Sequence, residues 1–199
     1  MARPSLSPEK RRELLPVVAR AFAELGYRRA TTADLARRCG VRENILYRLW
    51  PDKKAMFIAA IDYVFDVSAA TWNRLLETDR GPETTALRLL AYEATHLGEF
   101  TLYRIIFAGL SEADDPDICE ALRRMYAHFQ SFISEQVEAH RGGKSGDRDP
   151  DAELAAWAVI GLGTVANIGR ELGAMSNAGR KRLMEQVGRF LLDGDRRSR

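Results

Sequence analysis

Two cysteines in 199 residues are too few for a disulfide framework. Cys39 and Cys119 belong to no CxxC pair, so both read as reduced thiols acting as small buried hydrophobes. Histidine is as sparse, with three copies. Glu93-x-x-His96 is half of a di-iron helix-bundle pattern, but that chemistry needs a second such pair and two further inward carboxylates. Neither His128 nor His140 has a Glu three residues before it, and no metal site is expected. No phosphate-binding glycine loop, dinucleotide fingerprint or activated-nucleophile motif is present, so no cofactor is implied and the reading is against an enzyme. The most apolar run, Leu154 to Ile168, is too short to cross a bilayer, and the first thirteen residues are polar and basic without an apolar core. No membrane partner and a cytoplasmic location follow as expectations. No segment alternates apolar and polar residues over a convincing length, and no internal repeat is visible. The chain reads as all-α.

What is present is an ordinary globular balance, with 46% hydrophobic and 29% charged residues. The net charge of +2 hides an asymmetry. Residues 1–53 carry twelve Lys or Arg against six Asp or Glu, a net of +6, whereas residues 54–199 hold eighteen basic and twenty-two acidic residues, a net of −4. A basic end on a mildly acidic body places a polyanion partner at the N-terminal end.

After a loose basic arm, Met1 to Leu6, Ser7-Pro8-Glu9 starts a helix that runs to about Leu25 and stops at Gly26. Its stripe is Leu14, Leu15, Val18, Ala21, Phe22 and Leu25, and Pro16 inside it is expected to kink it. Thr31 to Met56 then reads as two short helices, a tight turn and the start of a third helix. Leu35, Ala36 and Cys39 share one face, Gly40 can turn left-handed, and Leu46 and Trp50 lie four apart on an inner side. That spacing describes a helix-turn-helix. Asp52 caps a long helix to about Leu76, and Asp79 to Pro82 is a break. Helices follow at about Pro82–Leu97, Phe100–Leu110 and Asp117–Ala139, then a polar loop Arg141–Pro150, helices Asp151–Leu172 and Ser176–Leu192, and a charged tail. The total is about nine helices in two domains: residues 1–53, three helices with the helix-turn-helix, and residues 54–199, a helical bundle.

Phe22, Gly26-Tyr27, Thr31-Thr32, Asp34-Leu35-Ala36, Cys39-Gly40-Val41, Leu46-Tyr47 and Trp50 followed by Lys53 and Ala55 make residues 10–57 resemble the TetR family of bacterial transcriptional regulators. Beyond residue 57 the resemblance rests on helix count and order. It implies a homodimer in which one domain reads DNA and the other holds a small effector that releases a palindromic operator, hence a repressor. Asn44 and Ile45 depart from the family's frequent Gly and Thr or Ala, Leu49 from a Tyr or His that touches DNA backbone, and Trp50 from Phe.

The second short helix would enter the major groove N-terminus first. Arg42 suits guanine and Asn44 adenine, because each can make paired hydrogen bonds to a base edge, while Glu43 can accept from cytosine and Ile45 can meet a thymine methyl. For each, the alternative is a solvated surface residue. Thr32, Tyr47, Arg48 and Lys53 are candidates for phosphate, with Arg28, Arg29, Arg37 and Arg38 as a diffuse positive rim. In the body, aromatic spacing is mostly core. The effector candidates are Tyr92, His96, Tyr103, Phe107, Tyr126, Gln130, Trp157 and Asn167, since polar groups amid aromatics need partners, and the effector implied is mainly apolar or aromatic. The last two helices are the expected dimer face, with Ala155, Ala156, Ala158, Gly161, Gly163 and Ala166 allowing close approach and Trp157, Val159, Ile160, Leu162 and Val165 supplying area. The rival is a DNA-binding regulator that answers to a protein partner, or to no ligand, with a filled core.

Overall fold

A computed structural model describes residues 7–78, 83–96, 101–142 and 151–194. Among them lie nine α-helices and no strand: α1 Ser7–Arg29, α2 Thr32–Arg38, α3 Glu43–Leu49, α4 Lys53–Thr78, α5 Thr85–His96, α6 Tyr103–Leu110, α7 Pro116–Arg141, α8 Ala152–Glu171 and α9 Asn177–Asp193. The all-α class, the helix count and the order are those read from the sequence. The N-terminal arm, the break at residues 79–82, residues 143–150 of the polar loop and the tail beyond residue 194 lie outside the described residues.

Two compact units divide the chain, one of residues 1–68 and 100–125, the other of residues 69–99 and 126–199. The first reaches past the expected boundary at residue 53, taking in the start of α4, α6 and the first turns of α7. Three short helices bury too little surface on their own, and the extra elements supply apolar cover. Val18 and Phe22 of α1, Leu35 of α2, Leu46 of α3, Phe57 and Ile61 of α4 and Ile105 of α6 are all fully buried there. The Phe57 ring lies 5.0 Å from Phe22 and 4.7 Å from Tyr27, and α6 packs on α1.

The break in α1 falls at Gly26, whose φ of 73° and ψ of 165° no β-carbon-bearing residue adopts comfortably. One more turn follows it, to Arg29. The kink expected at Pro16 is absent from the backbone dihedrals. Pro16 and Arg12 are both exposed, so water can take over the carbonyl that the proline leaves without a donor.

In the second unit α5 and α8 both pack on α9 around Ala86, Leu90, Val137, Ala155, Ala166 and Met184. α5 comes close to α9 at Gly188, where an added β-carbon would stand 2.5 Å from Leu90 Cδ1. The end of α7 is pinned by polar contacts. His140 meets Asp193 Oδ1 at 2.8 Å and Thr84 Oγ1 at 2.6 Å, and Arg141 donates to the carbonyls of Leu191 and Leu192. The run Leu154–Ile168 sits in a helix of 20 residues, so α8, like α4, has the length and composition to cross a membrane after all. Its small residues nevertheless pack against α9, as a core helix would.

Candidate functional site

The turn between α2 and α3 is built by backbone rules. Thr31 caps α2, its hydroxyl oxygen accepting from the Asp34 amide at 3.1 Å while its proton goes to the Asp34 carboxylate at 2.6 Å. Those bonds, with Arg37 beside them, hold the Asp34 carboxyl below the usual carboxylate range. Gly40, at φ 65°, closes the helix: its amide reaches the Arg37 carbonyl at 3.2 Å, and the Val41 amide reaches Ala36 at 3.0 Å. This paired closure is a Schellman motif, and it turns the chain into α3.

On α3, Leu46, Leu49 and Trp50 are buried. The inner side is thus wider than the Leu46–Trp50 pair read from the sequence, and Leu49 belongs to the core. The indole N–H of Trp50 is buried without a partner, and the Arg11 guanidinium stacks 5.5 Å above the ring while donating to the Leu49 carbonyl. Nothing in the sequence links residues 38 apart, so that clamp was not legible.

The outer side carries Arg42, Glu43, Asn44, Tyr47 and Arg48, all exposed, with Ile45 half-buried. The side chains of Arg42, Asn44 and Arg48 have no hydrogen-bond or ion-pair partner among the described residues. Thr32, Glu43 and Tyr47 are brought together instead. The Tyr47 hydroxyl donates to Thr32 Oγ1 at 3.2 Å, and Thr32 donates to Glu43 Oε2 at 2.8 Å. Lys53 turns inward, donating to the carbonyls of Tyr27 and Ala30 at 3.1 and 3.2 Å from a position 4.5 Å above the Tyr27 ring. Three of the rim's four arginines are paired in place, Arg28 with Glu112, Arg37 with Asp34 and Arg38 with Glu24, while Arg29 donates to the Leu25 carbonyl. Lys54, unremarked in the sequence, meets Asp115 and Asp117, whose hydrogen bonds raise the affinity of its ammonium for the proton.

The eight effector candidates are divided between the two units. Tyr103 and Phe107, on α6, pack edge to face at 6.1 Å in the first unit. In the second, Tyr92 stacks on an exposed His96 at 4.1 Å, and Tyr126 lies 6.0 Å from Trp157. Trp157 is 49% exposed. Burial pushes the Tyr126 hydroxyl up. Gln130 is half-buried on α7, and Asn167 is buried with its Oδ1 unpaired. The second unit does hold a cavity of about 70 Å³, but Trp72, Leu90, Glu93, Phe132, Gln136 and Met184 are among its walls, and none of the eight is. Ala86, Leu89, Leu90 and Glu93 share the face of α5 that lines it. Glu93 accepts from the Trp72 indole N–H at 2.7 Å, and burial pushes its carboxyl up against the opposing pull of that bond and of His96.

One apolar surface remains. Along α8, Leu154, Trp157, Val165, Ile168 and Leu172 are exposed at helical spacing, and Val187 and Phe190 are exposed on α9. The expected small-residue contact set is only partly there. Ala155, Ala156, Leu162 and Ala166 turn into their own chain's core, whereas Ala158 and Gly161 lie outward.

Residues 15–60 match the model of a family described as bacterial regulatory proteins, tetR family. The nucleoid occlusion factor SlmA of Aliivibrio fischeri (strain MJ11) is 37% identical over 74 residues. That stretch spans 37% of this chain and 38% of SlmA, well under half of either. A TetR-family transcriptional regulator from Rhodococcus sp. superposes with a TM-score of 0.78 at 19% identity, covering 93% of this chain and 99% of the other. A transcriptional regulator from Saccharomonospora viridis, solved in complex with choline, superposes with a TM-score of 0.72 at 18% identity over 92% and 95% of the two chains. At those identities the two structures speak for the fold.

Proposed function

We infer that this chain, a member of the tetR family of bacterial regulatory proteins through its DNA-binding domain, is a cytoplasmic transcriptional repressor that binds a palindromic operator as a homodimer. The observation that carries this reading is the division of α3. Its inner side, Leu46, Leu49 and Trp50, is locked into the core, and its outer side offers Arg42, Asn44 and Arg48 with their donors unspent. Arg42 and Asn44 are the base readers, because forked donors and an amide match guanine and adenine edges. Arg48 and Tyr47 grip phosphate. Thr32 and Glu43 serve chiefly to hold Tyr47, and Lys53 serves the fold, so all three are weaker candidates for contact than the sequence alone suggests. The exposed α8–α9 stripe is the surface the homodimer would bury, and it sets the two reading helices on a two-fold axis.

Binding, not catalysis, is the activity in this reading, with release controlled by a small effector in the second unit. The second unit carries a cavity of about 70 Å³ beside Glu93 and another of about 240 Å³ beside Ala94, Asn177 and Arg180, both below the ~300 Å³ at which drug-sized sites begin. These volumes favour a second reading, control by a protein partner, which the similarity to SlmA also supports. Selecting bound duplexes from a random DNA pool tests the repressor reading directly. A palindromic motif with half-sites about one helical turn apart is expected, and recovery of no motif would overturn it. Screening compounds for release of that motif then separates the two forms of control.

A further inference from the structure

The start of α9 carries consecutive cations that the DNA-reading face does not use. Two of them, Arg180 and Lys181, line the cavity of about 240 Å³ between the end of α5 and the start of α9, with Thr95, Asn177, Ala94 and Met184 in the same wall. No acidic side chain among the described residues stands in that wall. The Arg180 guanidinium is held in place there without being neutralised. Its Nη2 donates to Asn177 Oδ1 at 2.7 Å and its Nη1 to the Met175 carbonyl at 3.3 Å, both uncharged acceptors. The Lys181 ammonium meets Glu185 Oε1 only at 3.7 Å, beyond hydrogen-bond distance. Two cations on one hollow raise its potential, and an anion entering it relieves their repulsion. From these we propose that the α5–α9 cavity is a site for a compact organic carboxylate, with Arg180 and Lys181 binding the head and Ala94 and Met184 covering an apolar tail.

The wall selects this class on three counts. A guanidinium fork fixed by Asn177 matches the planar pair of carboxylate oxygens, and the bonds it already makes leave other N–H groups of the fork free. The first-turn amides of α9, a helix of 17 residues, lack acceptors within the helix and set the positive end of its dipole beside the same hollow. Ala94 and Met184 are buried and apolar, so a bare inorganic anion would leave that part of the wall uncovered. The size agrees as well. About 240 Å³ is the share of roughly eight water molecules at ~30 Å³ each, which suits a carboxylate with a short hydrocarbon tail.

The site goes beyond the repressor reading and is tested without DNA, so the failure of either leaves the other standing. The test titrates the full-length protein calorimetrically with hexanoate, with its neutral isostere hexanamide, and with inorganic phosphate, an anion that has no tail. Hexanoate should bind saturably at millimolar concentration, and the other two at least tenfold more weakly. Arg180→Gln should weaken hexanoate binding about tenfold or more, because a charged fork is lost from the carboxylate. Far-UV circular dichroism confirms that this variant is folded. Lys181→Gln, at an exposed position, supplies a second variant in which binding falls while Arg180 and its bonds remain. Glu185→Gln should act in the opposite direction and tighten binding, since it removes the acid that competes for Lys181. A gain of affinity is an effect that mere damage to the fold would not produce. Absence of hexanoate binding, equal binding of hexanamide or phosphate, or hexanoate affinity unchanged in both Arg180→Gln and Lys181→Gln would overturn the site.

Discussion

Lys53 and Glu93 are the two residues whose roles differ most from what their positions in the chain imply. Lys53 starts α4, where a cation would meet phosphate, yet its ammonium is hydrogen-bonded to the carbonyls of Tyr27 and Ala30 at the end of α1. Carbonyls at a helix end lack partners within the helix, and a charged donor there is worth more than a neutral one. Lys53→Met should therefore lower stability by about 1 kcal/mol after solvent screening, a melting shift of roughly 2–4 °C. An unchanged melting temperature together with a flatter salt dependence of DNA binding would place the ammonium on phosphate instead. Glu93 gives a prediction with a definite sign. Its folded carboxyl titrates above the ordinary range, so the folded state holds this proton more tightly than the unfolded state does. The contribution is complete below the ordinary carboxylate range and is lost as pH rises through the folded value. His96, which draws the carboxyl back down, does not reverse the direction. Glu93→Gln should thus be close to wild type in melting temperature near pH 4 and stabilised relative to it near pH 7, whereas a difference independent of pH would contradict the assignment.

Among the elements, the α5–α9 contact is a close one. Gly188 admits Leu90 so closely that a β-carbon would stand 2.5 Å from Leu90 Cδ1, and Leu90 lines the cavity. Gly188→Ala gains up to ~1 kcal/mol of helix propensity but overpacks at a cost of ~1–3 kcal/mol. Net destabilisation of about 1 kcal/mol, with Leu90 displaced, is the expected result in urea denaturation, and a stabilised variant would show that the helices can part without loss. Elements of this kind mark what the sequence does and does not disclose. Caps and breakers act locally, so Thr31, Gly40, Asp52 and Asp151 set helix ends that were readable from residue type alone. Helical faces were readable too, which is why Leu46 and Trp50 fell inside and Asn44 and Arg48 outside. Side-chain reach was not. Arg11 on Trp50, Lys54 on Asp115 and Trp72 on Glu93 join residues that no periodicity connects, and so the cavity's walls were missed although all five helices around it were expected.

At the scale of the whole molecule, the exposed Trp157, Val165 and Phe190 leave α8 and α9 with apolar area that a second copy would cover. Val165→Glu combined with Phe190→Glu should give a monomer in sedimentation at micromolar concentration, with a helical spectrum like that of the wild type. Operator affinity should fall at least a hundredfold, because each half-site is then bound alone. A double variant that still sediments as a dimer would move the interface elsewhere. The charge asymmetry read from the sequence belongs to this scale as well. Arg28, Arg37 and Arg38 are paired with Glu112, Asp34 and Glu24, whereas the side chains of Arg42 and Arg48 on the reading helix have no partner among the described residues. The claim that matters most is that this one face of α3 reads DNA. Fluorescence-anisotropy titrations of the selected operator and of a scrambled duplex, with wild type and with the Arg42→Ala, Asn44→Ala double variant, test it most directly. Wild type should prefer the operator by about a thousandfold or more, and the variant should keep its affinity for scrambled DNA while losing most of that preference. A variant that discriminates as well as wild type would contradict the account.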